Sequence, residues 1–123
     1  MKDKTIDSKD FFKMFIAISY SSEQVFFNFV DLTGYLFGRY VIDEDVYDEL
    51  EETLIEMIND GKITLVEGCT NLYQINRSFD FIKTIKDNHD YLDEMIRFFK
   101  CYYDRSNKKA KIRIVAKDIQ ILK

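Results

Sequence analysis

Tyr40–Asn76, YVIDEDVYDELEETLIEMINDGKITLVEGCTNLYQIN, is the stretch from which the fold can be read. Within Val46–Ile58, the apolar residues Val46, Tyr47, Leu50, Leu54, Met57 and Ile58 recur at three- and four-residue steps, the spacing of one helical face. Asp43 or Asp45 can accept the orphan N–H groups of the first turn, and Gly61 stands where a helix wants a left-handed residue after its end. Lys62–Glu67 and Asn71–Asn76 then carry β-branched and aromatic residues around a link containing Gly68, the signal of a hairpin with a longer loop.

Helix, glycine and hairpin in this order resemble the second half of a winged-helix domain, with Lys62–Asn76 as the wing. The expected fold class is therefore α+β and mostly helical. It is a winged-helix-like arrangement of about four helices with a small antiparallel β-sheet, made of the hairpin plus a C-terminal strand. At 123 residues and 46% hydrophobic content, the chain fits one domain, 1–123, with a normal core. Within it the winged-helix-like unit is expected at about 22–77, a long helix at about 79–104 and a basic strand at 110–123.

Charge is the least ordinary feature of the central helix. Val41–Asp60 holds nine acidic residues and no basic one. At 100° per residue, Asp45, Asp48, Glu49, Glu52 and Glu56 fall opposite the apolar stripe. Acids in the first turn complement the helix dipole, so Asp45, Asp48 and Glu49 are accounted for locally. Glu52 and Glu56 lie beyond that turn and form a like-charge i,i+4 pair costing about 0.2–0.5 kcal/mol. These five carboxylates are the expected partner-binding residues.

Ahead of this stretch, Ser8 or Asp10 can cap a helix from about Lys9 to Ser19, whose Phe11, Phe12, Phe15, Ile16 and Ile18 wrap most of its circumference. Ser21 with Gln24 matches a capping box, which predicts a second helix from about Ser22 to Phe37 stopped by Gly38. Beyond the hairpin, Ile82, Ile85, His89, Leu92, Ile96, Phe99 and Tyr103 keep alternating 3-4 spacing, and Tyr91, Met95, Phe98 and Tyr102 form a second row. So wide a face must be covered, either by the first two helices or by a second copy, which makes a homodimer through 79–104 the competing arrangement. In Ala110–Lys123 an alternating pattern shifts parity, as in a strand with a bulge near Lys117-Asp118, and it could add to the wing hairpin.

The chemistry-bearing residues are few. His89 is the single histidine, and it sits on an apolar stripe as a core histidine would. Cys69 and Cys101 lack CxxC spacing and read as reduced thiols, and with His89 they fall short of a zinc ligand set. The four glycines are dispersed, so no phosphate-cradling loop is encoded. No enzyme, cofactor or metal is expected. The chain opens without a secretory pattern and has no run long enough for a membrane span, so a cytoplasmic protein is expected.

Two function classes follow. Winged-helix DNA readers place the helix before the wing in the major groove, and here that helix is acidic, so phosphates would be repelled. The favoured expectation is a non-enzymatic, acidic protein-binding module of inhibitor or immunity and anti-defence type, engaging a basic surface that can itself be a nucleic-acid-binding one. The lopsided use of residues with AT-rich codons suggests a low-GC bacterium, its phage or a mobile element. The alternative is a winged-helix transcriptional regulator that binds DNA through the wing and Lys108, Lys109, Lys111, Arg113 and Lys117. Residues 105–123 carry seven basic residues against one acid. An edge strand guarded by lysines accounts for the same residues.

Overall fold

The computed structural model describes residues 4–38, 41–76, 81–104 and 112–115. Its centre is helix α1 (Ser8–Ser21), which packs against the helices at 46–59, 81–87 and 92–104 and the strands at 4–7 and 112–115. Phe11, Phe12, Met14, Phe15, Ile16, Ala17 and Ile18 are all buried, so apolar residues surround the helix axis rather than lining one stripe. The cap is Asp7 rather than Ser8 or Asp10: its carboxylate accepts the N–H groups of Lys9 at 3.1 Å and Asp10 at 3.4 Å.

The expected capping box at Ser21–Gln24 does not form. The Gln24 N–H instead returns to the Ser19 carbonyl at 2.8 Å, and Glu23 turns the chain at φ +64°. The residues that follow, Val25-Phe26-Phe27, are bulky and β-prone, and they run as strand β2 (Phe26–Asn28) before any helix starts. Helix α2 (Phe29–Phe37) then opens on Asn28, whose side chain accepts the Asp31 N–H at 2.8 Å, and closes at Gly38 as expected.

Helix α3 (Val46–Asn59) occupies its expected place. Asp45 stands at its cap position but makes no side-chain cap bond; the Val46 N–H goes to the Asp43 carbonyl at 3.1 Å. At the other end Gly61, at φ +78°, donates to Ile58 and Lys62 donates to Met57, a Schellman stop. Strands β4 (Ile63–Leu65) and β5 (Leu72–Ile75) make the hairpin, with Ile63 opposite Ile75 and Leu65 opposite Tyr73. Asn76 closes its base, donating through Nδ2 to the Gly61 carbonyl and to Thr64 Oγ1.

The third strand of that antiparallel sheet is β2, paired to β5 with Phe27 opposite Tyr73, in the order β2-β5-β4. Helix, strand, helix, the short strand Val41–Ile42, helix and hairpin, from Ser8 to Ile75, follow a winged-helix-like order, and α1 joins the unit that the sequence places from residue 22. The C-terminal strand was expected in this sheet and is not there. It is the middle strand of a second, parallel sheet, β1-β6-β3, built from Lys4–Asp7, Ile112–Val115 and Val41–Ile42. Ile114 in β6 is paired on both sides, by Ile6 and Ile42, and is fully buried, which holds both ends of the described chain against the core. The bulge expected at Lys117-Asp118 lies outside the described residues.

The helix expected over 79–104 is broken. Helix α4 (Phe81–Asp87) gives way to a 3-10 turn at His89–Tyr91, and α5 (Leu92–Asp104) resumes. Asp87-Asn88-His89-Asp90 are poor helix formers that compete for backbone groups, and the Asn88 side chain does so, donating to the Thr84 carbonyl at 3.0 Å. His89 is consequently exposed, not a core residue. The two apolar rows also exchange roles. Met95, Phe98 and Tyr102, from the row that looked secondary, are buried, whereas Leu92, Ile96, Phe99 and Tyr103 are half-buried. The reason is α1: Phe98 meets Phe11 and Phe15 with ring centroids 5.2 and 6.1 Å away, and Tyr102 meets Phe15 at 5.8 Å.

Candidate functional site

The face to examine is the solvent side of α3, the helix that directly precedes the wing. Its inner side is committed: Val46, Leu50, Thr53, Leu54 and Met57 are buried. The five carboxylates placed opposite that side do not act as one group. Asp45, Asp48 and Glu52 are exposed and point outward. Glu49 and Glu56 lie on the flank facing the start of α1, where Ser8 Oγ donates to Glu49 at 3.4 Å and Lys9 Nζ lies 3.5 Å from Glu56. Those two acids help seat α3 on α1, although an ion pair this exposed contributes little, about 0–1 kcal/mol.

The outward face is completed by residues absent from the expected set. Glu51 is exposed beside Asp48 and Glu52, and among the described residues no ion pair reaches any of the three. Asp48 and Glu52 are one turn apart, so their repulsion adds to that of Glu52 with Glu56. Ile55, left out of the apolar stripe, is exposed in the midst of these acids. A signal for it was available: among the apolar residues of α3, Ile55 is the one that projects onto the acidic side at 100° per residue. Tyr47 was assigned to the inner stripe but sits at its rim, its ring 6.0 Å from Phe29 and 6.4 Å from Phe37.

The arrangement offers fixed negative charge next to exposed apolar side chains, and α3 itself carries neither histidine nor cysteine. Elsewhere, a shallow depression of about 430 Å³ is lined by Tyr20, Val25, Gln74, Ile75 and Asn76. The described residues bring no three His, Cys, Asp or Glu side chains together as a metal site. Cys69 is free and exposed in the hairpin link, and Cys101 is free and buried on α5. No described helix is long and apolar enough to cross a membrane.

Of the alternative basic set, Lys108, Lys109, Lys111 and Lys117 lie outside the described residues, and Arg113 is placed only as a backbone position in β6, opposite Thr5 and Val41. Comparison of the chain with known protein families, with characterised proteins and with solved structures gave no match.

Proposed function

We propose that this chain is a non-enzymatic protein-binding module whose acidic helix α3 engages a basic surface on a partner protein. One observation carries the reading: the helix that a winged-helix protein ordinarily turns towards phosphates here presents Asp48, Glu51 and Glu52 with no cation paired to them among the described residues. Such a face repels a nucleic-acid backbone and complements the kind of surface that binds one. The reading extends to a small cytoplasmic inhibitor of immunity or anti-defence type, from a low-GC bacterium, its phage or a mobile element.

The test is a pull-down from the source cells with the intact chain, beside a variant carrying Asp48→Lys, Glu51→Lys and Glu52→Lys. These three are chosen over Glu49 and Glu56 because the latter also contact α1. A basic protein captured by the first bait and lost from the second supports the reading. Nucleic acid recovered equally by both baits moves the assignment to a DNA-binding regulator that works through the basic residues between 105 and 123. Sedimentation of the free chain separates both from self-association through the 79–104 region.

A further inference from the structure

The acids of α3 do not stand alone. Phe37 is 44% exposed, Tyr47 37% and Ile55 51%, all three large apolar side chains. Phe37 and Tyr47 form one anchor, their rings in edge contact with centroids 6.4 Å apart. Ile55 forms a second. It lies eight residues from Tyr47 on the same helix, about 12 Å along its axis. Glu51 is midway, one turn from each, and Asp48 and Glu52 flank it. The face is therefore an apolar–acidic–apolar ridge.

Resting on the reading of α3 as a protein-binding face, we propose that its occupant is a basic amphipathic helix of the partner. Two apolar side chains of that helix, about two turns apart, seat on Phe37–Tyr47 and on Ile55, and Lys or Arg between them meet Asp48, Glu51 and Glu52.

Each part of the occupant is required by a different feature. A purely basic ligand leaves both anchors in water and forgoes their burial. A purely apolar one covers three carboxylates without partners, which is costly. Apolar side chains at i and i+7 or i+8 of a helix reproduce the 12 Å separation, with the intervening turn free for cations. An extended strand could match the spacing too, but α2 and α3 offer no free backbone edge to pair with its amides. A helix needs none.

The test uses the intact chain and three labelled synthetic peptides, followed by fluorescence anisotropy. One peptide places leucine and lysine at helical period, the second has the same composition in strict alternation, and the third is lysine-only with the same charge. The helical-period peptide is expected to bind at least about tenfold more tightly than either other. On the unmodified chain its backbone amide shifts fall between residues 34 and 55. In a Phe37→Ser/Ile55→Ser variant that preference disappears while lysine-only binding stays. In the Asp48→Lys/Glu51→Lys/Glu52→Lys variant all binding is lost.

Equal affinity for the first two peptides overturns the helical occupant. An undiminished preference in Phe37→Ser/Ile55→Ser overturns the apolar anchors while leaving the acidic reading intact. Binding that survives charge reversal overturns the acidic reading itself, and so does binding of a DNA duplex with amide shifts on α3. All the altered side chains are exposed, so melting curves should stay close to the parent chain's, apart from the small helix-dipole cost of Asp48→Lys. If either variant melts early, the amide shifts on the unmodified chain decide the matter: shifts elsewhere overturn the proposal.

Discussion

The Tyr102 hydroxyl donates to the Asp31 carboxylate at 2.8 Å, joining α5 to the first turn of α2 across 71 residues of chain. Two functions meet in that turn. The Asp31 N–H is the one the Asn28 cap accepts, while its carboxylate receives the tyrosine. A tyrosine buried to 3% exposure in an aromatic cluster has few other places to send its hydroxyl, so this bond selects how α5 sits on the winged-helix-like unit.

Tyr102→Phe should therefore lower stability by about 1 kcal/mol, the usual net value of one hydrogen bond. The loss is held to that size because Asp31 is exposed and regains water. Urea unfolding of Tyr102→Phe, Asp31→Ala and the double variant forms a cycle that checks it. The double variant should lose less than the sum of the two, since the second change removes a bond already gone. Strict additivity would mean that the pair does not interact in solution.

Two glycines that look alike in the sequence as helix stops should respond oppositely to alanine. Gly61 has φ +78°, and nothing lies near the position of an added Cβ, so the penalty of Gly61→Ala is purely conformational, about 1 kcal/mol. Gly38 has φ −88°, which any residue adopts, and its new Cβ would meet the Tyr35 carbonyl at an ordinary 3.6 Å. Gly38→Ala should be neutral or stabilising by up to about 1 kcal/mol through the unfolded chain. Thermal melts of the two single variants distinguish the cases.

The parts of the fold legible in the sequence are those fixed by contacts close in the chain. Helix α3, its Gly61 stop and the hairpin depend on periodicity, a left-handed position and a short link, all within Val46–Asn76. The misread parts depend on partners far away. β2 is a strand because β5, more than forty residues on, supplies its hydrogen bonds (Phe27 opposite Tyr73). β6 leaves the wing because β1 and β3 offer it two neighbours instead of one. On α5 either apolar row could have been the buried one, and the choice was made by Phe11 and Phe15. At the proposed binding face, composition pointed to the acidic helix. The division of its acids, Glu49 and Glu56 towards α1 and Asp48 and Glu52 outward, follows from a packing angle that no spacing encodes.

Ser19 is fully buried in α1, and its hydroxyl has no hydrogen-bond partner among the described residues. An unpaired buried hydroxyl is a net liability, and serine is also a weaker helix former than alanine. Ser19→Ala should consequently raise stability, by about 0.5–2 kcal/mol, with no change in binding of any partner. A denaturant midpoint shifted upward at unchanged slope is the expected record. A lower midpoint would indicate that the hydroxyl is satisfied in solution.

Phe26 and Phe27 provide the sharpest test of strand against helix in the segment where sequence and structure diverge. A helix from Ser22 to Phe37 would place Phe26 beside the packed row of Val25, Phe29, Leu32 and Leu36 and give Phe27 no special role. As a strand, β2 alternates: Phe26 is 48% exposed, whereas Phe27 is buried with its ring 6.0 Å from Phe12, 6.2 Å from Phe15 and stacked on Tyr73 at 5.7 Å. Phe27→Ala should then cost about 3–5 kcal/mol, the range for emptying a packed aromatic site. Phe26→Ala should stay within about 0.5 kcal/mol, as surface changes usually do. The order of the two losses matters more than their size. Comparable losses, or a larger one at Phe26, would contradict the pairing of β2 with β5 and with it the antiparallel sheet β2-β5-β4.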